Sequence, residues 1–91
     1  MNTISAKFFQ EFVILNNFLE DYKATDAEKA EAKKSGFTTF FELYDDDDTK
    51  YYSGYMHKDI EDEFEPLDWG MYDSGCTYIK LRNKDGKMEI L

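Results

Sequence analysis

The chain has 91 residues, enough for one small domain with a single modest core, and we expect residues 1–91 to fold as one domain. Its 20 acidic and 11 basic side chains give a formal net charge of −9, which disfavours binding to nucleic acid or anionic lipid and favours basic protein partners. Aromatic residues make up 18% of the sequence, whereas disordered acidic chains are poor in aromatics, so a wholly disordered chain is excluded.

Cysteine content and the lack of targeting signals predict where the protein works. Cys76 is the single cysteine, so no internal disulfide can form, which favours a reducing compartment. The N-terminal residues lack the basic region and apolar run of a secretory signal, and no stretch approaches the roughly 20 apolar residues of a membrane span. We therefore expect a cytoplasmic protein.

The first predicted element is an amphipathic helix over residues 4–22, with Thr3 as its N-cap. Its apolar residues recur at steps of three and four, which places them on one helical face. These residues are Ile4, Phe8, Phe12, Leu15, Leu19 and Tyr22. Phe9 and Val13 widen the apolar stripe, so we expect this helix to be buried on more than one side.

A second, shorter helix is predicted from Asp26 to Ser35. Thr25 and Glu28 have the spacing of a capping box, in which each side chain bonds to the other residue's backbone N–H. Gly36 suits the position just beyond the end of the helix. Alanines are its only apolar residues, so this helix is expected to bury little surface.

From residue 37 onward, the alternation of apolar residues predicts strands. The predicted strands cover residues 37–44, 50–56, 76–82 and 88–91. Asp45–Asp48 is predicted to form a turn, and Asp85-Gly86 a hairpin loop.

The stretch before the third predicted strand has a weaker pattern. Residues 57–65 fit either a loop or one or two helical turns that end at Pro66, and turns are predicted at 68–70 and 73–75. The sum is an α+β fold, with one long and one short N-terminal helix followed by a mostly antiparallel sheet of about four strands. The first helix is expected to cover one face of that sheet.

Acidity is concentrated in the stretch from Glu42 to Asp73. This stretch holds twelve of the acids, two lysines and the single histidine, so its formal charge is −10. Residues 1–41 carry six acids and five bases, and residues 74–91 carry two acids and four bases. Concentrated charge destabilises a fold through self-repulsion, so a basic partner explains it better than solubility alone.

No motif in the sequence defines a reaction, and we predict no enzyme activity, no catalytic residue, no metal ligand and no cofactor. An EF-hand loop starting at Asp45 would need glycine sixth and glutamate twelfth, but Lys50 and Met56 occupy those positions. Cys76 and His57 are the residue types of a nucleophile–base pair, but nothing in the sequence places them together. Gly-rich phosphate loops, paired CxxC motifs and serine-centred motifs are absent from the sequence.

Large aromatics stand among the acids of this stretch, which is the composition of a tight interface. Tyrosine and tryptophan commonly anchor protein–protein contacts, and Tyr44 and Tyr72 are further candidates for this role. The residues predicted to contact the partner are Asp45, Asp46, Asp47, Asp48, Tyr51, Tyr52, Tyr55, Asp59, Glu61, Asp62, Glu63, Glu65, Asp68 and Trp69. The competing interpretation is that these aromatics are core and the acids a solvated face.

The spacing of the carboxylates suits imitation of DNA. A DNA duplex carries one charge per ~1.7 Å of its axis. Residues on one face of a strand lie ~6.6 Å apart, so neighbouring strands and loops can present charge on a similar scale. A groove lined with lysine and arginine does not distinguish two such surfaces by charge alone.

In size, acidic stretch and aromatic content, the chain resembles small acidic proteins that phages and mobile elements use against host defence. Some anti-CRISPR proteins and the uracil-DNA glycosylase inhibitor belong to this group. The resemblance covers overall character and matches no motif residue by residue, so no site residue is carried over from it. It implies a stoichiometric inhibitor without a cofactor, which mimics DNA at the basic site of a defence enzyme such as a CRISPR effector.

The chain also resembles the acidic immunity proteins that neutralise bacterial nuclease toxins. The alternative function is therefore an immunity protein or antitoxin for a basic nuclease. Both functions require the same electrostatics, so the sequence leaves the two open.

Overall fold

The computed structural model describes residues 7–91, and a hairpin of two eight-residue strands lies at its centre. The elements in chain order are β1 (Lys7–Phe8), β2 (Phe12–Asn17), β3 (Tyr22–Lys23), α1 (Asp26–Lys34), β4 (Phe37–Tyr44), β5 (Lys50–His57), α2 (Glu65–Ser74), β6 (Tyr78–Arg82) and β7 (Met88–Ile90). Among these residues, no helix is long and apolar enough to cross a membrane.

The helix predicted over residues 4–22 is wrong, because its described part forms the strands β1, β2 and β3. Its first residues, including Ile4 and the N-cap Thr3, lie outside the described part of the chain. In β2, Ile14 faces one core cluster while Val13 and Leu15 face another. A strand that is buried on both faces has a continuous run of apolar residues in its sequence. The periodicity of such a run does not distinguish it from a buried helix.

The sheet is larger than predicted for the same reason. Within residues 7–91 it has seven antiparallel strands instead of about four, in the order β1-β2-β5-β4-β6-β7, with β3 also paired to β2. The three strands of the N-terminal segment account for the difference. The predicted arrangement of one long and one short N-terminal helix ahead of a small sheet is therefore wrong.

Two helices cover opposite faces of this sheet. Ala32 of α1 is buried in the cluster that contains Val13 and Phe37. Leu67 of α2 is buried in the larger cluster on the other face, which contains Phe41. The helix predicted over residues 4–22 was expected to cover one face of the sheet, but its described part is itself sheet. Helices α1 and α2 cover the two faces instead, so the sheet is the middle layer of three.

Helix α2 replaces the turns predicted at 68–70 and 73–75. Pro66, which one of the two alternatives for residues 57–65 made the end of a helix, stands instead in the first turn of α2, where its missing N–H needs no partner. Gly75 ends the helix in the left-handed conformation, with φ 78°. Gly70 is a packing residue, because a Cβ there would lie 2.8 Å from Leu43 and 3.1 Å from the Sγ of Cys76.

Several local predictions are confirmed. Helix α1 has its capping box: the Thr25 hydroxyl accepts from Glu28 N–H at 3.1 Å, and Glu28 Oε1 accepts from Thr25 N–H at 3.0 Å. The strands predicted at 37–44 and 50–56 are β4 and β5, and they pair as a hairpin. The C-terminal hairpin forms from β6 and β7.

Candidate protein-binding surface

One face of α2 combines acids with aromatics. Glu65, Asp68, Trp69 and Tyr72 stand at positions i, i+3, i+4 and i+7, which share one side of a helix. Pro66, Leu67 and Gly70 are the helix's buried residues, and they anchor α2 to the sheet. The Tyr52 hydroxyl adds a second anchor, since it donates to Asp73 Oδ2 at 2.6 Å.

The acidic and aromatic face of α2 forms one wall of an open groove of about 590 Å³. The turn between β1 and β2 and the start of β2 form the other wall. We call this feature the aromatic groove; its lining residues are Phe9, Gln10, Glu11, Phe12, Glu65, Asp68, Trp69 and Tyr72. Phe9 stacks on Phe12 with ring centroids 4.5 Å apart and lies 5.5 Å from Trp69.

A second cavity of about 300 Å³ continues from the groove. We call it the acidic pocket, because all of its lining residues are carboxylates: Glu11, Asp59, Glu61, Asp62 and Glu65. Glu11 and Glu65 line both cavities, so the groove and the pocket form one surface. Six carboxylates therefore border a single concave region, since Asp68 joins these five.

Among residues 7–91, the charges on this surface are largely uncompensated. Of the six carboxylates, five have no ion-pair partner among residues 7–91, and Asp59 lies 3.9 Å from His57 Nδ1. Partial burial raises the pKa of Glu65, and the neighbouring charges of Glu11, Asp62 and Asp68 raise it further. The surface thus holds mutually repelling carboxylates, a state that a cationic partner relieves.

Exposed apolar side chains adjoin the acids. Tyr72 is 95% exposed, Met71 54% and Phe64 46%, and all three belong to α2 or its N-cap. Large apolar residues clustered beside a groove are typical of interaction sites.

The structure brings together seven of the predicted partner-binding residues. Six of them line the groove or the pocket: Asp59, Glu61, Asp62, Glu65, Asp68 and Trp69. Glu63 is exposed in the loop that supplies the pocket's acids.

Asp45–Asp48 lies elsewhere, in the turn at the opposite end of β5. Eight strand residues at ~3.3 Å each place this turn about 25 Å from the acidic pocket. Asp45 Oδ1 accepts from the N–H groups of Asp47 and Thr49, each at 2.9 Å, and Asp48 accepts from the Tyr78 hydroxyl. Two of these four aspartates thus hold the turn and its neighbour β6 in place.

The three tyrosines predicted to contact the partner lie outside the groove and the pocket, and only Tyr51 and Tyr52 contact each other, with ring centroids 6.5 Å apart. Tyr52 is 2% exposed and belongs to the core beneath α2. Tyr51 is half-buried and packs against that core. Tyr55 lies on the other sheet face, with its ring 5.8 Å from Phe40.

Four residues of the groove that precede the acidic stretch were missed as partner-binding residues: Phe9, Gln10, Glu11 and Phe12. Glu11 and Phe9 precede the acidic stretch and were placed in the predicted N-terminal helix. They reach the surface because β2 pairs with β5, and His57 N–H donates to the Glu11 carbonyl at 2.8 Å. A correct helix assignment for residues 65–74 would have grouped Tyr72 with Glu65, Asp68 and Trp69 by spacing alone.

The structure separates the groups that resembled a nucleophile–base pair. Cys76 is 1% exposed in the core beneath α2, whereas the His57 ring packs 5.4 Å from Phe37 of the opposite cluster. Across residues 7–91, no group of three or more His, Cys, Asp or Glu side chains is arranged to hold a metal ion.

Cys76 is expected to resist thiol reagents in the folded protein. Burial raises the pKa of its thiol to about 11 from 9.0, which lowers the thiolate fraction at pH 8 about 100-fold. Labelling with a chromogenic disulfide at pH 8 should therefore be at least about 100-fold slower in buffer than in 6 M guanidinium. Equal rates in the two solvents would contradict the packing of α2 over Cys76.

Alkaline pH is expected to destabilise the protein through two stacked tyrosines. Burial and a hydrogen bond to Glu42 raise the pKa of Tyr44 to about 12, and a hydrogen bond to Asp48 raises that of Tyr78 to about 12, from 10.0. Above pH 10 the unfolded chain binds fewer of these protons than the folded one. The stability they contribute is thus complete below about pH 10 and lost as pH rises through about 12.

Urea unfolding at pH 9 and pH 11.5 tests this expectation. The midpoint should fall between the two values, and it should fall less in a Tyr44→Phe, Tyr78→Phe variant, which has no phenol to ionise at either position. An equal fall in both proteins would contradict a role for these two groups.

Comparison with protein-family models, curated proteins and solved structures finds no match to this chain. A function for this chain is therefore inferred from its own residues.

Proposed function

We propose that the protein is a stoichiometric inhibitor, encoded by a phage or mobile element, that occupies the nucleic-acid-binding site of a basic defence enzyme such as a CRISPR effector. The observation that carries this proposal is the concave surface of six carboxylates beside exposed aromatics. Five of those carboxylates have no ion-pair partner among the described residues.

Electrostatics support a basic partner for this surface. Carboxylates held close together without counter-charges raise the free energy of the isolated protein, and a lysine- or arginine-lined site would offset that repulsion. Such sites bind the phosphates of nucleic acids, so the partner we propose is a nucleic-acid-binding protein.

The aromatics support tight binding. Charge alone accelerates encounter but does not give slow dissociation, which depends on a few buried anchors. Trp69 and Tyr72 stand among the carboxylates on α2 and can serve as these anchors. Competition with DNA requires both properties together.

Affinity capture followed by DNA competition tests the proposal. The protein and a variant with Asp59→Lys, Glu61→Lys and Asp68→Lys are used as bait in a bacterial lysate at 50 mM salt. Proteins retained by the wild type and lost with the variant are purified, and their binding to a fluorescent DNA duplex is measured with increasing inhibitor.

We expect the duplex to be released at a 1:1 ratio, and less inhibitor to bind as salt rises. A captured protein that holds the duplex and this protein simultaneously would contradict DNA mimicry. Capture of a nuclease toxin would support the same DNA-mimic mechanism and would identify the protein as an immunity protein.

A further inference from the structure

We infer that the aromatic groove receives an arginine side chain of the basic partner. This inference rests on the proposed function, and it specifies which cation the surface selects and where that cation binds.

Flat ring surfaces in the groove suit a planar cation. Phe9, Trp69 and Tyr72 offer ring surface to one open cavity, and Phe12, which is 3% exposed, packs beneath Phe9. A guanidinium group is planar and weakly hydrated, so it stacks on such rings, whereas an ammonium group keeps its water. Tyr72 is exposed along nearly its whole side chain and can close over an incoming group.

Carboxylates are placed around the same rings. Glu11, Glu65 and Asp68 line the groove together with the aromatics. Guanidinium is the side-chain cation that bonds a carboxylate through two parallel N–H groups while a ring covers its face. A lysine ammonium group could bind a carboxylate or contact a ring face, but it could not do both at once.

The chain itself places a cation beside the groove's tryptophan. Lys7 Nζ lies 5.8 Å from the centroid of the Trp69 ring. Lys7 reaches this ring from a separate small cavity that it lines with Tyr52 and does not line the groove. Trp69 is thus within cation–π distance of an ammonium group of the chain, and the lining of the groove itself includes no lysine or arginine.

Two capped peptides of equal length and charge test the inference, acetyl-Gly-Arg-Arg-Gly-amide and acetyl-Gly-Lys-Lys-Gly-amide. Trp69 is the single tryptophan of the sequence, so its fluorescence and its indole N–H resonance report on the groove and on the small cavity that Trp69 shares with Lys7. We expect the arginine peptide to bind at least fivefold more tightly and to shift both Trp69 signals.

Two matched variants localise the binding. Glu65→Gln with Asp68→Asn removes two charges from the groove, and Asp46→Asn with Asp47→Asn removes two from the distant turn. The first should weaken the arginine peptide at least tenfold and the second less than twofold.

Equal affinity for the two peptides, absence of binding by the arginine peptide, or unchanged Trp69 signals would overturn the inference. These results leave the proposed function standing if the captured partner still releases DNA. Simultaneous binding of DNA and inhibitor would contradict the proposed function, whatever the peptides show.

Discussion

A variant with Asp59→Lys, Glu61→Lys and Asp68→Lys is expected to bind its basic partner at least ~100-fold more weakly than the wild type. The three substitutions place lysines in the acidic pocket and aromatic groove, so attraction becomes repulsion at the contact itself, and like charges across an interface cost several kcal/mol. Titration calorimetry with the captured partner at 50 mM salt measures the loss.

Within residues 7–91, none of these three side chains forms a hydrogen bond on which the fold depends. Glu61 and Asp68 are exposed, and the Asp59 carboxylate has only the distant contact with His57. Reversal should therefore leave the thermal unfolding midpoint nearly unchanged, and circular dichroism checks this before binding is measured.

The matched control carries Asp46→Lys, Asp47→Lys and Asp85→Lys, which changes the net charge by the same amount at exposed positions away from the groove. At 50 mM salt the Debye length is about 14 Å, and charges well beyond it are strongly screened, so this control should lose less than ~5-fold. Equal losses in both variants would mean that total charge, rather than the groove surface, determines binding.

Local signals explain which parts of the fold the sequence predicts. The capping box of α1, the alternation along β4 and the turn residues between β6 and β7 all act within a few residues. Each is decided by chemistry that neighbouring residues carry, so each is visible in the sequence. The acidic stretch is visible for the same reason, because charge is additive along a chain.

The elements that depend on distant partners are those that the sequence mispredicts. The apolar run Val13-Ile14-Leu15 could be buried either in a helix or in a strand. Pairing with β5 decides that it forms a strand. Gly70 is read as a turn residue, whereas its actual role is to let α2 approach Leu43 and Cys76. Neither partner is near in sequence, so local propensity gives the wrong element.

In the candidate surface too, the residues that are close in sequence were predicted and those brought in by distant pairing were not. The acids at 59–68 and Trp69 are contiguous in sequence and are predicted as one group. Glu11 and Phe9 join them across about fifty residues through the β2–β5 pairing, which no pattern near residue 10 reports. The Asp45–Asp48 turn is close to this group in sequence but lies at the far end of β5, because a strand is extended.

Gly54→Ala is expected to lower the free energy of unfolding by roughly 3 kcal/mol or more, or to prevent folding. Gly54 of β5 pairs with Ile14 of β2, and a Cβ on Gly54 would lie 1.8 Å from the Val13 carbonyl oxygen. Because that atom is backbone, no side-chain rotation relieves the overlap, and β2 would have to leave the sheet.

Urea unfolding measures this cost, with Thr38→Ala as the control because Thr38 is exposed on β4. The control should change the free energy of unfolding by less than about 1 kcal/mol, which is the span of strand propensities. If residues 12–17 formed the helix that their apolar spacing suggests, no strand would lie against Gly54, and alanine would be tolerated there. A Gly54→Ala protein as stable as the control would therefore contradict the β2–β5 pairing, and with it the convergence of Glu11 and Phe9 on α2 that forms the groove.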